Sequence, residues 1–392
     1  MAMRPSIGRL AGLNGACVSA LLCWGVVAYG QATAPSDTRR GGGGSTATGE
    51  MVISETSLRS GLGTTDLEVI DRYVTNWAEK LATAGSEEDI LDARVRLTRG
   101  YNTYDSWQFQ NAYADRVAKA LTPVLTSPDL RKQINAAMVL SQMRQVSMQP
   151  ILESLVVSPN PALRLYGWTG YGRIRLLVMA QGKGPVETML TSLTKAAAEE
   201  DCGPVMSAIL SMMYLSPDRP SIISASVFDE TRAKLFDVFR QSWPRVCRKV
   251  LGGHYGMVRA ANEGLDALRR VAADPDSPKE TQQAAVQMVV DLAWCAAKCY
   301  AAEGQTGSQM AATEVLLREC ETALNAITKL RQIPVNKALT TKGDAERVAA
   351  VELATSSWIR LLENANWPVR EPKFELPETT TQPESASLPA GQ

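Results

Sequence analysis

The chain has 392 residues, of which 45% are hydrophobic, so it is long enough to bury one large core or roughly two to three smaller ones. Lysine plus arginine equals aspartate plus glutamate at 41 each, which leaves no net positive charge to attract nucleic acid. Aromatic residues make up only 6%, and unbranched residues with good helix propensity are abundant, so the composition favours helices over strands.

The first thirty residues have the layout of an export signal. Arg4 and Arg9 accompany an apolar run over residues 10–29, and small residues at its end allow cleavage near position 30. If it were not cleaved, a run of this length could span a hydrocarbon core of ~30 Å. We therefore predict an exported protein, periplasmic or secreted, with membrane anchoring by residues 10–29 as the alternative and no other contact with a membrane.

Two further segments have the composition of disordered chain. Residues 31–60 are dominated by Gly, Ser, Thr, Ala and Pro and contain an unbroken glycine run over residues 41–44, which predicts a flexible linker. Residues 367–392 are rich in Pro, Thr, Glu and Ser, which predicts a disordered tail. The folded domain is therefore predicted to span residues 61–366.

Helical periodicity runs through most of this domain. Apolar residues recur at three- and four-residue spacing, as at Ile70, Val74 and Trp77, and the pattern predicts about a dozen helices and no strand. Pro244 is expected to break the helix that precedes it. The helices become longer after residue 277, so we place a sub-boundary of the domain near residue 275.

A short helix-opening pattern occurs twice, at residues 127–131 and 160–164. Its two prolines lie 33 residues apart, and a fixed period of that size is typical of stacked helical repeats. Proline is accepted in the first turn of a helix, where its missing N–H costs nothing. The leucine of each copy is expected to point inward, and the arginine to bond carbonyls or a carboxylate of the neighbouring turn. The structural positions of the two copies are Pro128, Leu130, Arg131, Pro161, Leu163 and Arg164.

The pattern resembles the start of the inner helix in HEAT-like (armadillo-type) repeats, most clearly over residues 127–174. In that family small residues follow the arginine, and the second copy has Gly167, Gly170 and Gly172 there. Mid-helix glycines cost about 1 kcal/mol each against alanine, so they indicate close helix approach. The resemblance implies an all-α, right-handed α-solenoid of stacked helical hairpins, with a longer helical hairpin as its C-terminal part.

The sequence offers little for catalysis. The only histidine, His254, lies in a glycine-rich loop without a nucleophile pattern nearby, and it cannot form a histidine-rich zinc site. The acidic clusters are interpreted as solvated helix surface; they are Glu199, Glu200 and Asp201, and Glu319 and Glu321. We predict no catalytic residue, no metal site and no cofactor.

Five cysteines follow the predicted signal. Cys295 and Cys299 are one helical turn apart, where the Cβ atoms are about 5–6 Å from each other, too far for a disulfide. If two helices around residue 305 form an antiparallel hairpin, Cys295 comes near Cys320, and we offer Cys295–Cys320 as the disulfide hypothesis. A thiolate metal site and small buried thiols are the alternatives.

Aromatic residues crowd one stretch, at positions 101, 104, 107, 109 and 113. On a surface they could bind a sugar ring, but packing of Tyr101 and Tyr104 in a loop and of Trp107 with the others in the core is favoured.

Together these features predict an exported, non-catalytic helical-repeat scaffold that binds a protein partner in the cell envelope. The alternative is an α/α-toroid enzyme or binding protein acting on carbohydrate. A third interpretation is a tethered spacer.

Overall fold

The computed structural model describes residues 51–302, 305–330 and 334–375. These residues are 77% helical and contain no β-strand, so the predicted all-α fold class is confirmed. The predicted export signal lies outside the described residues, as do most of the linker and the end of the tail. In the part of the chain that is described, no helix combines the length and the apolarity that a bilayer crossing requires.

Fifteen α-helices occur in these residues, and two short 3-10 helices, Thr122–Thr126 and Val146–Met148, connect some of them. The α-helices are α1 Glu55–Ser60, α2 Thr64–Thr83, α3 Glu87–Tyr101, α4 Trp107–Leu121, α5 Leu130–Leu140, α6 Gln149–Val156, α7 Pro161–Ala180, α8 Lys183–Glu199, α9 Gly203–Met212, α10 Ala225–Leu251, α11 Tyr255–Ala273, α12 Lys279–Ala301, α13 Gly307–Thr328, α14 Val335–Leu339 and α15 Asp344–Asn364.

The helices pack in two rows that follow chain order. In the first row α3, α5, α7, α9, α11 and α13 each contact the next, so every second helix joins one continuous layer. In the second row α2 packs on α4, and α8, α10, α12 and α15 follow one another in the same way. Each helix therefore contacts mainly its near neighbours in sequence, which is how stacked hairpins bury a continuous core.

The stacking continues across residue 275. Helix α12 contacts α10 and α11, and α11 also contacts α13, so helices on both sides of this position belong to one compact unit. The long helices α12, α13 and α15 extend the two rows at the C-terminal end.

The packed body begins before the predicted linker boundary at residue 60. Met51 and Ile53 are buried, and residues 55–60 form α1. The Tyr104 hydroxyl accepts from the Ile53 amide at 2.9 Å and donates to the Met51 carbonyl at 3.1 Å. The composition of residues 31–60 does not indicate this, because the polar residues outnumber the few apolar side chains, Met51 and Ile53 among them, that dock this segment.

The predicted helix break at Pro244 is wrong. Helix α10 is 27 residues long and continues through Pro244, because apolar residues before and after the proline are buried on one face of the helix. The Trp243 indole donates to the Met288 carbonyl of α12 at 2.7 Å, and its ring packs edge-on against Phe239. Tertiary packing thus outweighs the lost hydrogen bond to the Arg240 carbonyl, which proline cannot make.

Candidate interaction surfaces

The second copy of the repeated pattern forms the cross-helix contacts expected of it. Asn160 caps α7, Pro161 is its first residue, and Leu163 is only 6% exposed. The Arg164 guanidinium donates to both carboxylate oxygens of Glu200, from Nε at 2.8 Å and from Nη2 at 2.9 Å. Its Nη1 also donates to the carbonyls of residues 158 and 159. Arg164 therefore joins the start of α7 to the end of α8.

The first copy differs from this expectation. Pro128 lies outside the helix, because Asp129 is extended and caps α5, which begins at Leu130. Leu130 is 42% exposed, so the prediction that it points inward is wrong. Arg131 does not reach a neighbouring turn either; its guanidinium bonds the carboxylate of Asp129, two residues away. These contacts stay within one helix start.

Two of the three predicted small positions lie at a close helix approach. A Cβ on Gly167 would lie 2.8 Å from the Val156 backbone nitrogen of α6, and one on Gly170 would lie 2.6 Å from a Leu152 methyl group. A Cβ on Gly172 would meet only the Met212 side chain, at 3.4 Å. Gly167 and Gly170 therefore permit α6 to lie directly on α7.

Two further arginines of α7 tie it to its row neighbours. Arg173 donates to the Ser141 carbonyl at the end of α5, at 2.8 Å. Arg175 donates to the carbonyls of Ser211 and Met212 at the end of α9, at 3.1 and 3.0 Å. Helix C-termini carry unpaired carbonyls and partial negative charge, so both contacts are favourable. Burial lowers the pKa of both guanidinium groups, and for Arg173 the charge of Arg144 lowers it further.

The acidic residues that follow α8 are only partly solvated. Glu200 is buried and paired with Arg164, so its interpretation as solvated surface is wrong. Asp201 accepts from Arg245 at 2.6 Å and from Lys249 at 2.8 Å, which links this loop to α10. Glu199 is exposed, as predicted. Arg164, the acidic loop and α10 thus form one charged network between three helices.

The two residues of the other predicted acidic pair also differ in their exposure to solvent. Glu319 is exposed, as expected, whereas Glu321 accepts a hydrogen bond from the Val335 amide at 2.8 Å and supports the start of α14. Partial burial raises the pKa of Glu321. His254 is exposed and forms the residue before α11. Within the described residues no group of three or more His, Cys, Asp or Glu is arranged to hold a metal ion.

The aromatic stretch at positions 101–113 is mostly core. Tyr101, Phe109 and Tyr113 are buried, and Tyr113 packs against the other two rings with centroids 6.2 and 5.6 Å away. Tyr104 is partly buried against Phe109 and holds the N-terminal segment. Trp107 is 58% exposed at the start of α4, so its assignment to the core is wrong. A single exposed indole leaves no cluster of rings for stacking a sugar.

The cysteines of α10, α12 and α13 are buried thiols. Cys295 lies beside Cys247 as well as near Cys320. Burial raises the pKa of Cys247, and the neighbouring Cys295 thiol raises it further. Burial likewise raises the pKa of Cys320, which disfavours the thiolate form. The Cys295–Cys320 disulfide stays a prediction.

A cleft of about 370 Å³ lies between α10, α12 and the segment that follows α15. Helix α12 contributes Gln283, Gln287 and Asp291 to its lining, and Pro244 contributes from α10. Burial raises the pKa of the Asp291 carboxyl, and the hydrogen bond from Gln287 and the charge of Arg370 oppose that rise.

The chain after α15 forms one wall of this cleft, whereas the composition predicted a disordered tail from residue 367. Val369 and Pro372 are buried, and the Phe374 ring lies 6.2 Å from that of Trp294. The Gln287 amide bonds both backbone groups of Arg370: Oε1 accepts from its N–H at 2.8 Å and Nε2 donates to its carbonyl at 3.0 Å. Residues 367–375, here called the C-terminal strap, are therefore part of the packed body.

No family model matches the chain, and no curated protein matches it. One similar solved structure is the crystal structure of an engineered protein, a target of the Northeast Structural Genomics Consortium. It is 16% identical, and the match covers 78% of this chain and 90% of that chain with a TM-score of 0.23. A likeness this weak supports no argument about fold or function.

Proposed function

We propose that the protein is an exported, non-catalytic scaffold of HEAT-like helical repeats that binds a protein partner in the cell envelope. The observation that carries the proposal is the first row of helices, in which six alternate helices, α3 to α13, pack side by side. Rows of this kind present an extended surface made of many short segments, and such surfaces suit protein recognition. The signal-like start of the sequence supports export.

The hydrogen bonds that the arginines of α7 make to neighbouring helices also support a scaffold. Arg164, Arg173 and Arg175 each bond a different neighbouring element, so the helix spacing in the middle of the row is fixed by directed contacts as well as by apolar packing. A rigid surface loses little conformational entropy on binding, which favours affinity. The carbohydrate alternative loses its main motivation, because the aromatic stretch is largely core.

Photocrosslinking in the cell envelope tests the proposal. A photoreactive residue is placed at exposed apolar positions of the first row, Leu91, Leu130 and Tyr255, and at Leu353 in the second row as the matched control. We expect a discrete protein adduct from first-row positions and none from Leu353. Equal background adducts at all four positions would remove the case for a scaffold.

Export is tested separately by fractionation. Full-length protein produced in its own host should accumulate outside the cytoplasm. A variant with Arg4 and Arg9 changed to glutamate should stay inside, because the positive start of an export signal is lost. Cytoplasmic accumulation of the unchanged protein would overturn the export proposal and leave the scaffold proposal to the crosslinking result.

A further inference from the structure

After a tight turn in which the Val369 amide donates to the Trp367 carbonyl at 2.8 Å, the C-terminal strap has no regular secondary structure and packs on the body as a bound peptide would. Val369 and Pro372 are buried and Trp367 and Phe374 are partly buried against the body, whereas Glu371 and Lys373 are exposed. The Gln287 side chain bonds the backbone of Arg370, and the spaced apolar side chains pack against the body. This division of labour, affinity from the backbone and specificity from spaced side chains, is general for recognition of extended peptides.

Both the oxygen and the nitrogen of the Gln287 side-chain amide are hydrogen-bonded. Its Nε2 donates to Asp291 at 2.8 Å as well as to the Arg370 carbonyl, so both amide hydrogens are used. Because Asp291 accepts from Nε2, the amide is oriented with Oε1 toward the Arg370 N–H. A side chain fixed in this way recognises a backbone unit of any peptide in the extended conformation.

Charge and shape add preferences along the strap. The positive charge of Arg370 lies near the carboxyl of Asp291, so a basic residue is favoured at this position. Proline is favoured three residues after the buried valine, because Pro372 is buried and its ring suits an extended backbone. Trp294 favours an aromatic residue two positions later.

We propose that the groove formed by α10 and α12, with Trp294 of α12 at one end, is a binding site for an extended peptide of a partner protein, and that the C-terminal strap occupies it as an intramolecular ligand. The peptide carries an aliphatic residue, a basic residue directly after it, proline at the third position beyond the aliphatic one and an aromatic at the fifth. The open cleft beside Pro368 gives an incoming peptide access next to the strap. The proposal rests on the proposed function and adds to the first-row surface a second contact site, between α10 and α12 of the second row, for one extended segment of the partner.

The experiment measures how the strap competes with a free peptide for the groove. A tethered ligand has an effective concentration of about 1 mM, so a free peptide binds weakly while the strap is in place. Loosening the strap in the full chain with Val369→Ser and Phe374→Ala removes two of its side-chain anchors and keeps the groove. A fluorescent peptide of residues 366–375 with the natural sequence then reports the site through fluorescence anisotropy.

We expect the loosened chain to bind this peptide with a Kd at least about tenfold lower than the unchanged chain does. Adding Gln287→Ala should weaken binding at least about fivefold, because two backbone hydrogen bonds are lost. Gln283→Ala is the matched control; the Gln283 side chain lines the same cleft but makes no hydrogen bond within the described residues, so affinity should not change. Equal affinity of loosened and unchanged chains, or indifference to Gln287→Ala, would overturn the proposal.

A second measurement does not depend on the loosened chain folding well. In the unchanged protein, hydrogen exchange of the Arg370 amide should be slow, and it should accelerate with Gln287→Ala but not with Gln283→Ala. Millimolar unlabelled peptide should also accelerate exchange within the strap, whereas a scrambled peptide should not. Exchange that ignores the natural peptide would identify the strap as a permanent end cap and overturn the proposal. Because the probe is synthetic, failure here is distinct from failure of the envelope crosslinking.

Discussion

Residues 127–140 and 160–180 begin with the same short pattern, yet they make different contacts. In the second region Arg164 bonds a carboxylate 36 residues away, whereas in the first Arg131 bonds a carboxylate only two residues away. Leu163 is buried and Leu130 is not. One copy therefore links neighbouring repeats, and the other shapes only the start of its own helix.

The residue after the proline accounts for this difference. The second copy has Ala162, whose amide bonds the capping Asn160, so the helix starts at the proline. The first copy has Asp129, whose carboxylate accepts from the Arg131 amide and also from its guanidinium. Asp129 therefore caps α5, which starts at Leu130, two positions later in the pattern than α7 does. The same carboxylate binds the Arg131 guanidinium and keeps it from reaching a neighbouring helix. A single side chain thus decides which role the motif plays.

The largest expected effect separates the two leucines. Leu163→Asp places a carboxylate at a buried position, which loses the apolar burial and adds the cost of an unpaired buried charge, so we expect a loss of at least about 4 kcal/mol in the free energy of unfolding. Leu130→Asp at the exposed first turn of α5 should stay within about 1 kcal/mol of the unchanged protein. Urea denaturation followed by circular dichroism measures both. Similar losses for the two variants would contradict the difference in burial.

The second prediction concerns the buried ion pair. Glu200→Ala leaves the Arg164 guanidinium without its carboxylate, and removing one partner of a buried pair typically costs about 3 kcal/mol or more. Glu199→Ala, at the exposed neighbouring position, should change stability by less than about 0.5 kcal/mol. Denaturant midpoints measure the difference. A double variant that also carries Arg164→Met should lose less than the sum of the single losses, since the pair is coupled.

The fold class could be predicted from the sequence because it depends on periodicity. Apolar spacing set the helices, and the close approach at Gly167 and Gly170 followed from the cost of glycine inside a helix. Helix starts do not follow from periodicity alone, since several side chains compete for each cap. Asp129 is an example: the sequence alone does not show that Asp129 caps α5 and that the helix therefore does not start at Pro128.

The candidate groove could not be predicted in the same way. Gln287 lies on a helix whose polar positions look alike, and its role depends on a backbone 83 residues later in the chain. The strap has the charge and proline content of disordered chain, and the side chains that dock it are interspersed with exposed ones. The spacing of Val369, Pro372 and Phe374 is the one signal that was present, and composition averaging hides such spaced residues.

The third prediction compares two glycines of α7. Gly167→Ala adds a methyl group 2.8 Å from the Val156 backbone nitrogen, so overpacking should outweigh the better helix propensity and cost about 1–2 kcal/mol. Gly172→Ala faces only the adaptable Met212 side chain and should be neutral or stabilising by up to about 1 kcal/mol. Thermal denaturation shows whether each variant is stabilised or destabilised. A gain for both variants would mean that α6 can move away from α7 without loss.

The smallest expected effect is that of Arg131→Ala. Its partner Asp129 still accepts from the backbone amide of residue 131, which alanine also provides, so the helix cap survives the substitution. The ion pair itself is solvent-exposed, and exposed pairs are weakened by water and salt. We expect no measurable change in the denaturation midpoint at low or high salt, whereas Arg164→Ala should be clearly destabilising under both conditions. A loss for Arg131→Ala as large as that for Arg164→Ala, at both salt concentrations, would contradict the local role of Arg131 and mean that the two copies act alike despite their different starts.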